Sequence, residues 1–568
     1  SFDGTNAQSN TLIGYDAGKA ITTGDNNVAV GRQSLYSNTT AEDNTALGHS
    51  ALFANTTGAN NTAVGRAALV ANTTGSSNVA LGYYALTANT TGQQNVAIGY
   101  QSMDTNTTGS YNCAIGLDSL EANTTGGQNT ACGNHALTAN TTASYNNAFG
   151  NTALDANTTG SQNCGFGNSA LGSNTTGSNN VAIGYYACAT ETDGNGTTAV
   201  GYHALKDTTV GGTTAVGYYA AESLTTGGMT VAIGKQCLRY GTTANQNTAV
   251  GEQAMEGVSG SSTGSYNVAM GLRALEGFTT GDHNTGIGYY ALQNLTTGAN
   301  NVALGAYALD AETTQSGLTA LGYSALGANA GGSGCVGIGY RALQGNTTGN
   351  NNVGIGYDAG ANITTGGQNT VVGTLALDAC TTGNNNDAFG YQSLTANTTG
   401  GDNVAIGTIS LSSNTTGTAN TAVGRASLQN NTTGANNVAI GTNALSNNTT
   451  SNENVAVGMQ ALTINTTGGG LTAVGKQALR GNTTGSSNTA VGTFSMYNNT
   501  TGQKSNAFGR EALEANTTAN YNDAFGYQAL HDNTTGSQNC AFGYQTLTDN
   551  TTSNGNSGFG YASLWLNT

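Results

Sequence analysis

The apolar residues of this chain return every seventeen positions in one fixed spacing. With the Asn of Asn-Thr-Ala-Val-Gly as position one, position four is apolar in every copy, as at Val30, Leu47, Ile98, Phe149, Met270 and Phe559. Position three is Ala in 26 copies and Gly in five, and position nine is Leu in 26, with Met103, Met255 and Met496 as swaps. The glycine of position five stands at Gly14, Gly31, Gly48 and onward to Gly560, giving 33 copies and 32 intervals, of which 30 are seventeen residues long. The exceptions are sixteen residues (Gly201 to Gly217) and twenty (Gly251 to Gly271). A period held this long means stacked units that bury one core between neighbours.

Seventeen residues are too few for two helices and a turn, and the fixed glycine weakens a helix. Val, Ile, Thr and Tyr favour strands. The pattern predicts an all-β chain: a parallel β-solenoid of about 33 coils, one per repeat, with Val/Ile and Leu in separate ladders. It runs as one continuous, elongated domain over 1–568, with an irregular zone at 190–267 where Asn-Thr-Thr-Gly is lost. Insertions in a solenoid become surface loops, so Gly257–Gly264 is the candidate for a unique contact. Alternate residues of a strand face opposite sides. Positions two and four therefore share one face, and the small residues at three and five share the other. Neither face is strongly polar, which predicts burial on both sides: one face fills the coil, and the other meets a second copy of the chain. The glycine either adopts a backbone angle closed to other residues or admits a neighbouring backbone. Asn-Thr-Thr-Gly reads as a turn whose Asn and Thr stack into ladders.

Composition narrows the function. The net charge is −16 with only 13 Lys and Arg, so no basic stripe exists for nucleic acid. No run of 18 apolar residues occurs, so no helix inserts in a membrane. Eight cysteines, among them Cys113, Cys164 and Cys540 at position two and Cys132 at position four, read as small buried hydrophobes. They form no C-x-x-C pair, and the five histidines have no partnering pattern, so neither a metal nor a cofactor is expected. Scattered acids such as Asp43, Asp118 and Glu191 do not repeat at a calcium-binding phase. No catalytic cluster is expected, and the chain reads as a non-enzyme. It starts at Ser1 and stops at Thr568 within repeats, which suits a processed product or a segment of a longer protein.

Two repeated features are candidate sites. About twenty Asn-Thr-Thr triplets match the N-glycosylation sequon, among them Asn38, Asn55, Asn72, Asn89, Asn106, Asn123, Asn140, Asn157, Asn174, Asn346, Asn397 and Asn414; as turn residues they need no glycan. Tyrosines following the glycine (Tyr83, Tyr100, Tyr185, Tyr202, Tyr340, Tyr357) could stack on a sugar or on one another across coils.

The segments Asn95–Gly99 and Asn180–Gly184, both Asn-Val-Ala-Ile-Gly, resemble the head repeat of trimeric autotransporter adhesins. The longer form, with x-x-Ala-Leu and Asn-Thr-Thr-Gly, resembles repeats of bacteriophage and other viral tail fibres. The resemblance implies a left-handed parallel β-roll with three chains about one axis. It implies an extracellular or virion fibre that gives reach and supports attachment to a host or surface, with itself as partner in a homotrimer. A cell-surface glycan or receptor is the further partner it implies, and the alternative reading is an adhesin that binds carbohydrate through its repeated surface ladders.

Overall fold

In a computed structural model describing residues 7–566, every repeat forms one coil with a single three-residue strand at positions two to four. The described residues contain no helix. The chain makes two units that divide between Asn284 and Thr285. The first holds β1 (Thr11–Ile13) to β16 (Val268–Met270), and the second β17 (Thr285–Ile287) to β33 (Ser557–Phe559). Within each unit, successive strands pair in parallel one repeat apart. In β6 (Val96–Ile98), residues Val96, Ala97 and Ile98 lie against Cys113, Ala114 and Ile115 of β7 (Cys113–Ile115). The odd intervals do not break the register, since Thr198 still pairs with Thr214 and Thr248 with Val268.

Short strands understate the bonding. In the coil of β6, backbone N–H groups of Gly99 and Gln101 donate to the coil before, at Leu81 (2.8 Å) and Tyr83 (3.0 Å). Those of Met103, Thr105 and Thr107 donate to the coil after, at Ser119 (3.0 Å), Glu121 (3.1 Å) and Thr124 (2.9 Å). Hydrogen bonds thus hold the coils all the way round, not only along the strand.

The backbone closes each coil by entering the left-handed region at positions seven, nine and seventeen, as at Gln101 (φ 50°), Met103 (φ 53°) and Gln94 (φ 55°). A β-branched side chain is disfavoured there, and of the three positions seven alone admits one, at Thr152 (φ 52°) and Ile409 (φ 53°). That explains why position nine is Leu, Met, Cys, Ala or Gly and never Val, Ile or Thr, whereas position four accepts Val and Ile freely. At position five both sequence-based alternatives hold together. Gly99 has φ +141°, and a Cβ on it would lie 2.3 Å from the Gly116 carbonyl oxygen of the next coil.

The faces sort as small inside, bulky outside. Ala97, Ala114 and Ala131 at position three are fully buried with Met103, Leu120 and Leu137 at position nine, while Leu81, Ile115 and Ile183 at position four keep 38–45% of their surface. The interior is also polar in a way the sequence reading did not foresee. Asn78 and Asn95 at position one and Asn72 and Asn89 at position twelve are fully buried. Asn72 Nδ2 donates to Asn55 Oδ1 of the previous coil (2.8 Å) and to the Gly75 carbonyl (2.9 Å). Asn78 Nδ2 donates to Asn61 Oδ1 (3.2 Å) and to Gly92 O (3.0 Å). Each amide is satisfied by its neighbours, so burial of these ladders carries little penalty and fixes the register of the stack.

The insertion at Gly257–Gly264 is a surface loop, as expected. Val258 is exposed, Gly257 and Gly260 have φ of 79° and 73°, and the buried Ser262 hydroxyl anchors it to the Phe278 carbonyl at 2.9 Å.

Candidate interaction surface

The candidate glycosylation residues Asn38, Asn55, Asn72, Asn89, Asn106, Asn123, Asn140, Asn157, Asn174, Asn346, Asn397 and Asn414 are the position-twelve rungs, all fully buried. The nitrogen that would carry a glycan is the one that donates along the ladder, as in Asn106 to Asn89 (2.9 Å) and Asn123 to Asn106 (2.7 Å). The geometry turns these residues from surface acceptors into turn and core residues. Chain made in a glycosylating host and recovered folded is expected to show unmodified Asn55, Asn72 and Asn89 by peptide mass mapping; a glycan on an intact coil there would overturn this.

The candidate tyrosines pack on one another. Tyr83 stacks on Tyr100 (centroids 5.5 Å apart), Tyr185 on Tyr202 (5.4 Å) and Tyr340 on Tyr357 (5.0 Å), each pair near parallel. Ring faces within a stack are covered by the neighbouring coil, and the six side chains still keep 37–50% of their surface.

The largest outward feature is the ladder at positions two and four. Its residues are Val, Thr, Ile, Leu and Phe in nearly every coil, of intermediate burial or exposed on the outward sheet face. Phenylalanines extend it by stacking: Phe149 on Phe166 (4.3 Å), and Phe508, Phe525, Phe542 and Phe559 in one column at 4.5–5.4 Å. Asp387 and Asp523 are its only charges. Cys113, Cys132, Cys164 and Cys540 lie on this stripe partly exposed, while Cys188, Cys237, Cys335 and Cys380 are buried. Burial pushes the Cys237 thiol up to about 12 and the Cys380 thiol up to about 11, so the inner thiols stay protonated and unreactive.

Three polar arrangements escaped sequence reasoning, because their members lie one coil apart. Glu511, Glu514 and His531 each bring a ligand atom within 4.8 Å of the others. Their side chains are engaged: His531 with Glu514 (3.3 Å) and Asp532 (2.6 Å), Glu511 with Arg510 (2.7 Å). Second, Gly172 and Gly327 at position ten leave notches beside Asp155 and Asp310 of the preceding coils, with Tyr186 lining the first and Tyr323 the second. Desolvation raises both aspartate carboxyls above the usual range. A glycine one repeat after an Asp was the available signal.

Third, two glutamates replace rungs of the position-twelve ladder. Glu312 Oε1 accepts the backbone N–H groups of Thr313, Thr314 and Gln315, all at 2.8 Å, and its Oε2 accepts Asn329 Nδ2 at 2.6 Å. Glu191 sits at the other polarity. Its carboxyl accepts the Cys188 thiol (2.6 Å) and the Thr197 hydroxyl (3.1 Å), while Asn174 Oδ1, which awaits a donor from the next rung, is buried without a partner.

The sequence matches no protein-family model and no curated protein.

Proposed function

We propose that this chain is a structural fibre segment, displayed outside a cell or on a virion, that gives reach and supports attachment to a host or surface. In this reading copies associate as a homotrimer through the stripe at positions two and four, with the left-handed winding that the repeat resemblance implies. The observation that carries it is the recurrence of that partly exposed apolar face in coil after coil. If each coil leaves about a third of a side chain of roughly 200 Å² uncovered, the sixteen strands of the first unit expose about 1,000 Å². A standard interface covers about 800 Å² per partner, and a monomer rarely leaves so large an apolar patch to water. The repeated tyrosines support a second role as a carbohydrate-binding surface, since they remain partly exposed at regular spacing.

Native mass measurement or sedimentation tests the association. A mass of three chains is expected, and a bismaleimide should link copies at Cys132 and Cys540 on the stripe. A monomer at every concentration would sink the fibre reading. Glycan-array binding by the intact chain would favour the carbohydrate role, and an inert array the spacer.

A further inference from the structure

Side chains at positions seven and ten of successive coils meet one another. Gln253 Nε2 donates to Glu256 Oε2 within one coil (2.8 Å), and Arg239 Nε reaches Glu222 Oε2 of the coil before (2.9 Å). Where charges meet here, an acid usually faces a base, as Asp358 faces Arg341 (2.7 Å). The coils of β30 (Asn506–Phe508) and β31 (Asp523–Phe525) differ. They bring Glu511 and Glu514, at positions seven and ten of the first, to His531, at position ten of the second. Each offers a ligand atom within 4.8 Å of the others, the single such trio among the described residues.

The imidazole is held in one sense. His531 Nδ1 lies 2.6 Å from Asp532 Oδ1, and an ionised carboxylate only accepts, so Nδ1 carries a proton. The other nitrogen, Nε2, faces Glu514 Oε2 at 3.3 Å. With a neutral ring this contact sets one lone pair against another, and the Glu511 carboxylate adds a third. Three carboxylates gather here around the single guanidinium of Arg510, which leaves two negative charges uncompensated. A second proton on the ring would answer one of those charges. A dication answers both and gives all three lone pairs a common centre.

The donors are also oriented from behind. Metal-binding histidines typically rest their second nitrogen on a carboxylate or carbonyl, the part Asp532 plays here. Glu511 Oε1 takes Arg510 Nε (2.9 Å) and Nη2 (2.7 Å), while its Oε2 accepts Gln528 Nε2 (2.8 Å) and keeps a lone pair. Ligands around a tetrahedral Zn2+ stand about 3.4 Å apart, a spacing the long glutamate side chains reach by small rotations. One nitrogen with two carboxylate oxygens suits Zn2+ or a related first-row dication, whereas Ca2+ and Mg2+ take more oxygens. We propose that Glu511, Glu514 and His531 bind one Zn2+-class ion, which cross-links two neighbouring coils and leaves its fourth position to water. The site is independent of how copies of the chain associate.

The test titrates Zn2+ itself into the full-length, metal-stripped chain by calorimetry and compares Glu514→Gln, His531→Gln and Asp532→Ala. Gln is native at position ten, as at Gln293, Gln344 and Gln429, so the first two variants suit the coil. The parent should take up one saturable equivalent. Glu514→Gln and His531→Gln, which remove a ligand, should each weaken it at least a hundredfold, and Asp532→Ala, which removes only the support of the ring, by roughly 10–100-fold. Hydrogen exchange of the parent should slow with Zn2+ in the coils of β30 and β31, and should not respond in His531→Gln. No saturable equivalent in the parent would overturn the site. So would binding that survives both ligand substitutions, since the ion would then sit elsewhere, on partly exposed thiols such as Cys113. Saturable binding without slower exchange in those two coils would overturn the cross-link.

Discussion

Gly99→Ala is expected to cost about 4 kcal/mol or more, as would the same change at the other position-five glycines between stacked coils, whose backbone and contacts are alike. Two penalties act on the same atom. The backbone at φ +141° belongs to a region that is essentially glycine's alone, and the new Cβ would lie 2.3 Å from the Gly116 carbonyl oxygen and 2.7 Å from its carbon. Both neighbours are main chain, so no rotamer change relieves the contact. Relief requires Gly99 and Gly116 to part, which strains the backbone bonds around the coil. Because each coil contacts only its neighbours, the damage should stay local. Hydrogen exchange should quicken first around β5 (Val79–Leu81), β6 and β7, while distant coils keep their protection. Unchanged protection in those strands would refute the argument, and so would a uniform loss along the whole chain.

Glu191→Gln should act in the opposite direction and stabilise the chain at neutral pH. A buried acceptor left unpaired costs about 1–3 kcal/mol, and Gln supplies the N–H donor that Asn174 Oδ1 lacks. The carboxyl of Glu191 is raised above the usual glutamate range, first by desolvation and then by the charge of Asp193, against lowering bonds from Cys188 and Thr197. The sign follows from proton counting. Between the unfolded pKa near 4.3 and the raised folded one, the folded state holds more protons, so stability falls as pH rises through that window and levels off above it. Only a protonated Glu191 can donate to Asn174 Oδ1 on the preceding rung, so the structure points to the same trend. Melting curves from pH 4 to 8 should therefore decline for the parent and stay flatter for Glu191→Gln, the two diverging as pH increases. Parallel curves would refute the role given to Asn174.

The coil and its period were legible because every copy repeats the same phases, and stacking places equal phases on top of one another. The Leu of position nine and the Val or Ile of position four could be told apart as separate ladders. The reason for the difference, a left-handed backbone at residues such as Leu52 and Leu154, was already written in the absence of branched residues at that phase. Which face turned inward was not legible. Periodicity reports that Ala97 and Ile98 point oppositely, but only closure of the coil decides that the narrow interior takes Ala. The buried asparagines were misplaced for a chemical reason. Asn usually ends in solvent, and Asn-Thr-Thr-Gly looks like a surface turn; a ladder that satisfies its amides, Asn174 Oδ1 excepted, reverses that expectation. The same oversight hid Glu191 and Glu312, whose meaning depends on the rung above or below.

The bonding scheme that links each coil only to the next also bears on how the gene can change. Loss or gain of one whole repeat, by unequal exchange between near-identical coding stretches, joins two coils through the same set of hydrogen bonds and leaves ladders and register intact. A change of a few residues must instead be absorbed as a bulge on the surface, as at Gly257–Gly264. Inheritance can thus alter the number of coils in unit steps without redesigning the core, and the distance such a protein spans becomes a trait that selection can tune by counting.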